Sequence, residues 1–378
     1  MNVLIPVRGY YPAVKHGGPP VAIENICDAT GDRVTYYILT TNHDKGDTAP
    51  LPGIAPGWNK VGKANVIYLS PERETYSEFD KITADVQPDL IYIQSLFDAG
   101  YTLPFLKIAK KRNIPALLAV RGELSKGVFT KKHKKIPYIW LMRLSGLMNN
   151  ISFHATYDGE REDIRRILAK HDQPIDTISD LPTMTAFHPK ENSKTAGTLK
   201  AVFISRIVEN KNLLDVLKSL RQVTAEVTLD IYGFQQDGEY WKICEQAMAD
   251  LPTHIHARYC GALRHEDVVD TLTGYDVMIF PTYSENYGQI IAESLLASCP
   301  VILTDRTPFT NLGNYGAGRI VELHDLPALT RAIEEFAGMD KAGYGEILDN
   351  VKTYVDKELS IEEKAERYTA MFRQAGAN

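Results

Sequence analysis

Two glutamates flank a predicted connection from a strand to a helix in the second half of the chain. The segment from Phe280 to Ser294 places Glu285 in a polar loop and Glu293 about five residues into a helix that begins near Gly288. The first turn of such a helix leaves backbone N–H groups that bind a phosphate or diphosphate. Because phosphates repel carboxylates, the glutamates are better suited to accept hydrogen bonds from ribose and sugar hydroxyls. The alternative is a solvated helix with an ordinary acid at each end.

Two cations follow another predicted strand. In the sequence Ala-Val-Phe-Ile-Ser-Arg-Ile-Val-Glu-Asn-Lys, an apolar strand ends before Arg206, and Lys211 opens the next helix. Arginine offers a planar fork of donors and lysine a compact charge, and the two together suit a diphosphate. A cation at a helix N-terminus is otherwise unfavourable, so a bound anion explains Lys211 better than stability does. A lysine that is simply exposed is the alternative.

The first predicted connection contains the pair Gly17-Gly18, followed by two prolines. The glycines allow a ligand to approach the backbone, and proline suits the first turn of a helix. The segment is not the Gly-x-Gly-x-x-Gly dinucleotide motif, and a plain turn is the alternative.

The elements that must position these residues alternate between short apolar strands and amphipathic helices, which predicts parallel sheets in an α/β fold. The chain of 378 residues is long enough for about two domains. A polar stretch over 187–197 indicates a linker, so we predict one Rossmann-like domain over 1–190 and a second over 198–357. Within residues 358–378, a capping box from Ser360 to Glu363 predicts a final helix that packs back on the first domain.

Composition excludes several classes of protein. The net charge of −6 argues against a nucleic-acid-coating protein. The four cysteines form no Cys-x-x-Cys pair, which argues against a zinc ribbon and a disulfide scaffold. Too few apolar residues precede Pro6 for a secretory leader, and no apolar run is long enough to cross a bilayer. We therefore predict a cytoplasmic protein, either soluble or attached to the inner face of the cell membrane.

Together the motifs resemble those of the retaining glycosyltransferases of family 4. The resemblance rests on the Glu285-x7-Glu293 element, the Arg206 to Lys211 segment and the Gly17-Gly18 loop, in an order that extends over essentially the whole chain. It implies the GT-B architecture: two facing, doubly wound Rossmann-like domains with an interdomain cleft and a packed C-terminal helix. It also implies no metal and no cofactor, consistent with a sequence that has no Asp-x-Asp motif and no histidine cluster.

The resemblance also implies roles for single residues. Arg206 and Lys211 would bind the diphosphate of a nucleotide-sugar donor, Glu293 the ribose hydroxyls, and Gly17 with Gly18 would close over the phosphates from the first domain. Glu285 would lie beside the transferred sugar. It would be joined there by the loop backbone of four residues: Asn286, Tyr287, Gly288 and Gln289.

Three positions depart from the family pattern. Ser205 replaces a glycine before the arginine, and Cys299 stands where glycine commonly precedes Pro-Val. Many members carry a histidine near the end of the fourth strand, where this chain has Arg121-Gly122. Arg-Gly versions occur among transferases that extend surface polysaccharides, and we predict that Arg121 contacts the sugar or the acceptor at the catalytic centre.

The resemblance predicts an enzyme that moves a hexose from a nucleotide-diphosphate-sugar, with UDP the commonest choice in the family, to a glycan or lipid-linked acceptor of surface polysaccharide synthesis. Retention is usually assigned to a front-face route in which the departing phosphate helps deprotonate the acceptor. Double displacement through Glu285 also gives retention, and the sequence does not choose between the two. A nucleotide-sugar 2-epimerase and a non-catalytic donor-binding subunit are the alternative functions.

Charge is distributed unevenly along the chain. Residues 101–150 hold eleven Lys and Arg against one Glu, a net +10, so the other residues together carry −16. A basic run adjoins the apolar, aromatic segment 136–142, and it comprises Lys131, Lys132, Lys134 and Lys135. Basic clusters are attracted to anionic lipid, so we predict that this patch docks on a membrane surface. A core helix with a solvated end is the alternative, and nucleic acid is disfavoured because no aromatics interleave with the lysines.

Overall fold

The computed structural model describes residues 1–13, 15–16, 18–124, 132–149, 151–170, 172–182, 186–285 and 287–377, without the side chains of residues 132–134. The chain divides into two compact units. The N-terminal unit comprises Met1–Met184 and Ile361–Asn378, and the C-terminal unit comprises Thr185–Ser360. The predicted domain boundary, at residue 190, lies inside the C-terminal unit.

The described part of the N-terminal unit is an eight-stranded sheet with helices. Its strands are β1 Asn2–Pro6, β2 Thr35–Thr41, β3 Trp58–Val61, β4 Ala64–Leu69, β5 Leu90–Ile93, β6 Ala116–Ala119, β7 Ile151–Ala155 and β8 Ile175–Thr177. Its first five helices are α1 Gly18–Thr30, α2 Tyr76–Val86, α3 Ala99–Arg112, α4 Lys132–Leu144 and α5 Asp158–Ile167.

The strands of this sheet lie in the order β3-β4-β2-β1-β5-β6-β7-β8. All described pairings are parallel except the β3–β4 hairpin. The chain winds outward in one direction after β1 and in the other from β5 onward. The gap between the carboxyl ends of β1 and β5 is therefore a topological switch point, where open α/β sheets bind ligands.

The C-terminal unit holds a second sheet. Its strands are β9 Thr198–Ile204, β10 Glu226–Tyr232, β11 Ile255–Gly261, β12 Val277–Phe280, β13 Val301–Thr304 and β14 Gly318–Val321. Its helices are α6 Leu213–Leu220, α7 Gly238–Ala249, α8 Val268–Leu272, α9 Gln289–Leu296, α10 Leu312–Tyr315, α11 Leu326–Gly338 and α12 Lys341–Glu358.

The described strands of the second sheet are all parallel, in the order β11-β10-β9-β12-β13-β14. Its switch point lies between β9 and β12. Both strands are apolar and buried at their carboxyl ends, so the sheet core fixes where the following polar loops begin. The two parallel-sheet domains confirm the predicted α/β class.

The last helix, α13 Ile361–Gly376, belongs to the core of the N-terminal unit. Tyr368, Met371 and Phe372 are buried there, and the Phe372 ring meets those of Tyr36 and Tyr92 edge to face. Burial of three such side chains holds the helix on the sheet.

The polar segment predicted as a linker is irregular over 186–197, yet it is attached to the C-terminal unit. The buried ammonium of Lys194 donates hydrogen bonds to the carbonyl oxygens of Thr195, Thr198 and Ala337. Among the described residues, no helix is long and apolar enough to span a membrane.

Candidate functional site

Lys211 and Glu285 form an ion pair at the switch point of the C-terminal unit. Lys211 follows β9 and Glu285 follows β12, and the lysine Nζ donates a hydrogen bond to the glutamate Oε1. Their side chains are only 12% and 16% exposed. Lys211 Nζ also lies 5.6 Å from the centre of the Phe280 ring, at the end of β12. Lys211, which is predicted to bind phosphate, and Glu285, which is predicted to lie beside the sugar, are therefore in direct contact in this structure.

Asn212 holds the two loops together. Its left-handed backbone, with φ of 63°, ends the turn that contains Lys211 and begins α6. Its buried amide donates to the carbonyl oxygen of Pro281 at 2.9 Å and to the Asp215 carboxylate at 2.8 Å. The Tyr283 N–H donates to the Asn210 carbonyl at 2.9 Å. These bonds fix the position of the cation relative to the acid.

Arg206 stands at the rim of the same strand end. Its Nη1 donates to Gln236 Oε1 at 2.9 Å, and the side chain lies at the surface. Gly233, which directly follows β10, approaches this strand end from the neighbouring strand, with φ of 144°. A Cβ at Gly233 would overlap the Ser205 carbonyl and lie 3.3 Å from the Arg206 nitrogen. Gly233 was not predicted as a site residue, although a glycine directly after a buried strand was the available signal.

Helix α9 begins at Gln289, preceded by Gly288 with φ of 84°. Glu293 is the fifth residue of this helix and is buried, with its Oε1 3.7 Å from His265 Nδ1. Tyr287 is also buried, and its ring packs on Phe309 at 5.9 Å. The predicted contribution of Asn286 lies outside the described residues.

The N-terminal unit carries its own pocket at its switch point. A cavity of 250 Å³ lies where β1 and β5 end, lined among others by Arg8, Asp98 and Glu123. Arg8 donates two hydrogen bonds to the Asp98 carboxylate, at 2.9 and 2.7 Å. Asp98 and Glu123 were not predicted as site residues, although both follow strand ends of the predicted sheet.

Glu123 is held in this pocket by its neighbours. Its carboxylate accepts hydrogen bonds from Ser95 Oγ at 2.8 Å and from the N–H groups of Leu96 and Phe97 at 2.8 and 3.2 Å. Burial nonetheless raises the pKa of this carboxyl, against the effect of those bonds. A carboxylate fixed in a half-buried pocket is suited to accept a proton or hydroxyl hydrogen bonds.

Arg121 points away from open solvent. It has a left-handed backbone, with φ of 55°, and its side chain is 8% exposed. The guanidinium pairs with Asp180 and donates to Gln94 Oε1 at 3.1 and 2.7 Å. Arg121 and Gln94 both line the cavity, and all three guanidinium nitrogens donate to Gln94 or Asp180.

Two predicted surface features are only partly described. Gly18 is the first residue of α1, while Gly17 lies outside the described residues, so their role stays a prediction. In the basic patch, Lys131 and the side chains of Lys132 and Lys134 likewise lie outside. Lys135 is described, and its Nζ lies 4.5 Å from the centre of the Phe97 ring. Across the part of the chain that is described, no cluster of His, Cys, Asp and Glu could hold a metal ion.

Comparisons with known proteins identify a related family model and similar folds. Residues 185–342 match the family model of the glycosyl transferases group 1, which covers most of the C-terminal unit. No curated protein matches the sequence.

Solved structures match the whole chain. Sucrose-phosphate synthase from Thermosynechococcus elongatus has a TM-score of 0.75 at 16% identity, covering 100% of this chain and 99% of that one. The Anabaena protein Alr3699/HepE, in complex with UDP and glucose, has a TM-score of 0.74 at 13% identity, covering 99% and 100%. A glycosyltransferase from Rickettsia africae has a TM-score of 0.71 at 14% identity, covering 100% and 99%. The fold is that of GT-B glycosyltransferases.

Proposed function

We propose that this chain is a retaining glycosyltransferase of family 4 that transfers a hexose from a UDP-sugar to a glycan or lipid-linked acceptor in surface polysaccharide synthesis. The observation that carries the proposal is the meeting of Arg206, Lys211, Glu285 and the start of α9 at the switch point between β9 and β12. The match to the glycosyl transferases group 1 over the same unit supports it. Similar folds were solved with UDP and glucose or with UDP-glucose, which supports a UDP-sugar donor.

The donor would be held mainly by the C-terminal unit. Arg206 and Lys211 would bind the diphosphate, with the N–H groups at the start of α9, and Glu293 would accept hydrogen bonds from the ribose. When the donor binds, the Lys211 ammonium would exchange part or all of its hydrogen bonding to Glu285 for hydrogen bonding to a phosphate oxygen. The Glu285 carboxylate would then be available to the sugar hydroxyls.

The chemistry requires departure of a nucleoside diphosphate. Charge develops on that leaving group in the transition state, and two fixed cations and a helix N-terminus stabilise it without a metal. For retention we take the front-face route, in which the departing phosphate helps deprotonate the acceptor, and the Glu285 carboxylate would accept hydrogen bonds from the sugar hydroxyls instead of attacking the anomeric carbon. The pocket between Arg8 and Glu123 would take the acceptor, with Glu123 accepting a hydroxyl hydrogen bond.

The first experiment is calorimetric titration of the full chain with UDP, uridine, and a panel of UDP-, GDP- and ADP-sugars. Arg206→Ala and Lys211→Ala are expected to weaken UDP at least about tenfold and to leave uridine unchanged, because both cations act on phosphate. Arg221→Ala removes an exposed cation at the end of α6 and is the matched control.

Two results would contradict the proposal. Unchanged UDP affinity in both variants would show that Arg206 and Lys211 do not bind the diphosphate. If no nucleotide-sugar bound at all, the proposed function would be wrong. The anomeric configuration of the product, followed by NMR, tests retention. Conversion of the donor sugar at carbon 2 without an acceptor would point to an epimerase, and donor binding without turnover to a non-catalytic subunit.

A further inference from the structure

One face of helix α4 is anchored in the N-terminal unit. Ile139 and Met142 are buried, and the Tyr138 hydroxyl donates to the Leu96 carbonyl at 2.9 Å. The Tyr138 ring packs on Phe97 at 5.7 Å. These contacts fix the helix, so its opposite face has a defined orientation.

The opposite face is apolar and open to solvent. We call it the exposed stripe, and it consists of Ile136, Trp140, Leu141 and Leu144, which are 42%, 63%, 60% and 78% exposed. Three of them follow each other at intervals of four residues, so they lie on one side of the helix. A core helix explains only Ile139 and Met142. Four large apolar side chains together on the surface indicate a binding surface.

Two cations of the described residues lie near the exposed stripe. Arg143 is exposed on the same helix, and Lys110 on α3 lies close to the end of α4, with its Nζ 3.5 Å from where a Cβ at Gly146 would stand. In the sequence, no Asp or Glu occurs between Glu123 and Asp158, whereas the run from Lys131 to Lys135 directly precedes the stripe. The partner that complements this surface is therefore apolar at its centre and anionic around it.

We propose that the exposed stripe inserts into the headgroup region of the leaflet it contacts in an anionic lipid bilayer, with the neighbouring cations on the lipid headgroups. The helix has 13 residues, about 20 Å in length, which is too short to cross a bilayer and suits a position in the membrane plane. Tryptophan and leucine beside lysine and arginine are the composition of such interfacial helices. Membrane insertion is inferred from helix α4 alone. It rests on the proposed function only for its purpose, which would be to bring the protein to a lipid-linked acceptor.

The test uses the full chain and vesicle flotation. Vesicles of phosphatidylcholine and phosphatidylglycerol in equal parts are compared with pure phosphatidylcholine, at low and high salt. We expect binding to the anionic vesicles only, weakened by salt. Trp140→Glu with Leu144→Glu is expected to lower vesicle binding at least about tenfold, because a charge is costly in the apolar layer. Ile243→Glu is the matched control, since Ile243 is an exposed apolar residue on α7 of the other unit.

Fluorescence reports insertion directly. Trp140 emission, taken as the difference between the wild type and Trp140→Phe, is expected to shift to the blue with anionic vesicles. A wild type that does not float, or stripe variants that float as well as it does, would overturn the proposal. So would a wild-type dimer that the stripe variants convert to a monomer without any vesicle binding.

The two proposals fail separately. The stripe variants are expected to bind UDP like the wild type, and Arg206→Ala is expected to float like the wild type while it loses UDP. If the wild type floated with anionic vesicles but did not bind UDP, only the proposed function would be contradicted.

Discussion

The ammonium of Lys211 donates a hydrogen bond to the carboxylate of Glu285 across two loops that lie 74 residues apart in sequence. Both side chains are largely buried, so each lowers the cost of burying the other. Lys211 is predicted to bind phosphate and Glu285 to lie beside the sugar. Because the two side chains are paired, we expect the free energies of phosphate binding and of sugar binding to depend on each other.

Glu285→Gln is expected to strengthen UDP binding about three- to tenfold and to lower turnover of the sugar donor about a hundredfold or more. The amide would release the lysine for the diphosphate, while the site would lose the carboxylate that we propose lies beside the sugar. Lys211→Ala is expected to weaken UDP at least about tenfold. Calorimetry and donor hydrolysis measure the two effects, with Lys218→Ala as the exposed-lysine control. Equal weakening of UDP by both variants would show that the pair is only structural.

Sequence patterns predicted all six strands of the second sheet and five strands of the first, because buried parallel strands are continuous apolar runs between turn residues. Strand β4 was not predicted, although it is largely buried and pairs in parallel with β2. Strand β3 was not predicted either. It lies at the edge of the sheet, and because Trp58 and Lys60 are exposed and polar residues interrupt it, it contains no continuous apolar run. Strand β8 has only three residues, among them Asp176, which is too short for a pattern.

The candidate site was predictable to the level of residues but not of side-chain direction. Strand ends placed Arg206 and Glu285 at one edge of the sheet, yet no spacing rule shows that Lys211 points at Glu285. Arg121 was predicted at a strand end for the same reason. Its left-handed backbone and a partner 59 residues later, Asp180, direct the guanidinium inward, and neither is visible in a local pattern.

Arg121→Ala is expected to destabilise the N-terminal unit by about 3 to 5 kcal/mol, because Asp180 would be left buried without its partner. The double variant Arg121→Ala with Asp180→Ala is expected to recover part of that loss. Urea unfolding followed by tryptophan fluorescence measures both, since Trp58 and Trp140 lie in this unit. If Arg121→Ala instead kept the unfolding midpoint and abolished transfer, Arg121 would be a catalytic residue, as the sequence predicts.

Gly233→Ala is expected to lower the stability of the C-terminal unit by more than about 2 kcal/mol, since its Cβ would overlap the Ser205 carbonyl and its φ is positive. Relief of that overlap would move Arg206, so UDP affinity is expected to fall as well. Gly197→Ala is the control: its φ is also positive, but its Cβ would meet open space, so only about 1 kcal/mol should be lost. Thermal unfolding with and without UDP compares the two. Equal losses would mean that the close approach carries no cost.

The stability of the N-terminal unit is expected to fall as pH falls through the range in which His154 would titrate if exposed. Burial, together with the charge of Arg121, lowers the pKa of His154 from 6.5 to about 4. The ring is held neutral: Nε2 donates to the Ile178 carbonyl at 2.8 Å, and Nδ1 accepts from the Tyr92 hydroxyl at 2.6 Å.

Because the folded pKa is below the unfolded one, the unfolded chain binds more protons between these values. The contribution of His154 is therefore complete above pH 6.5 and is lost as pH falls toward 4, at a total of about 3 kcal/mol. Urea unfolding across this range is expected to show the loss, and His154→Gln to remove most of this slope. A slope unchanged by the substitution would assign the pH dependence to other groups and leave His154 without a role in it.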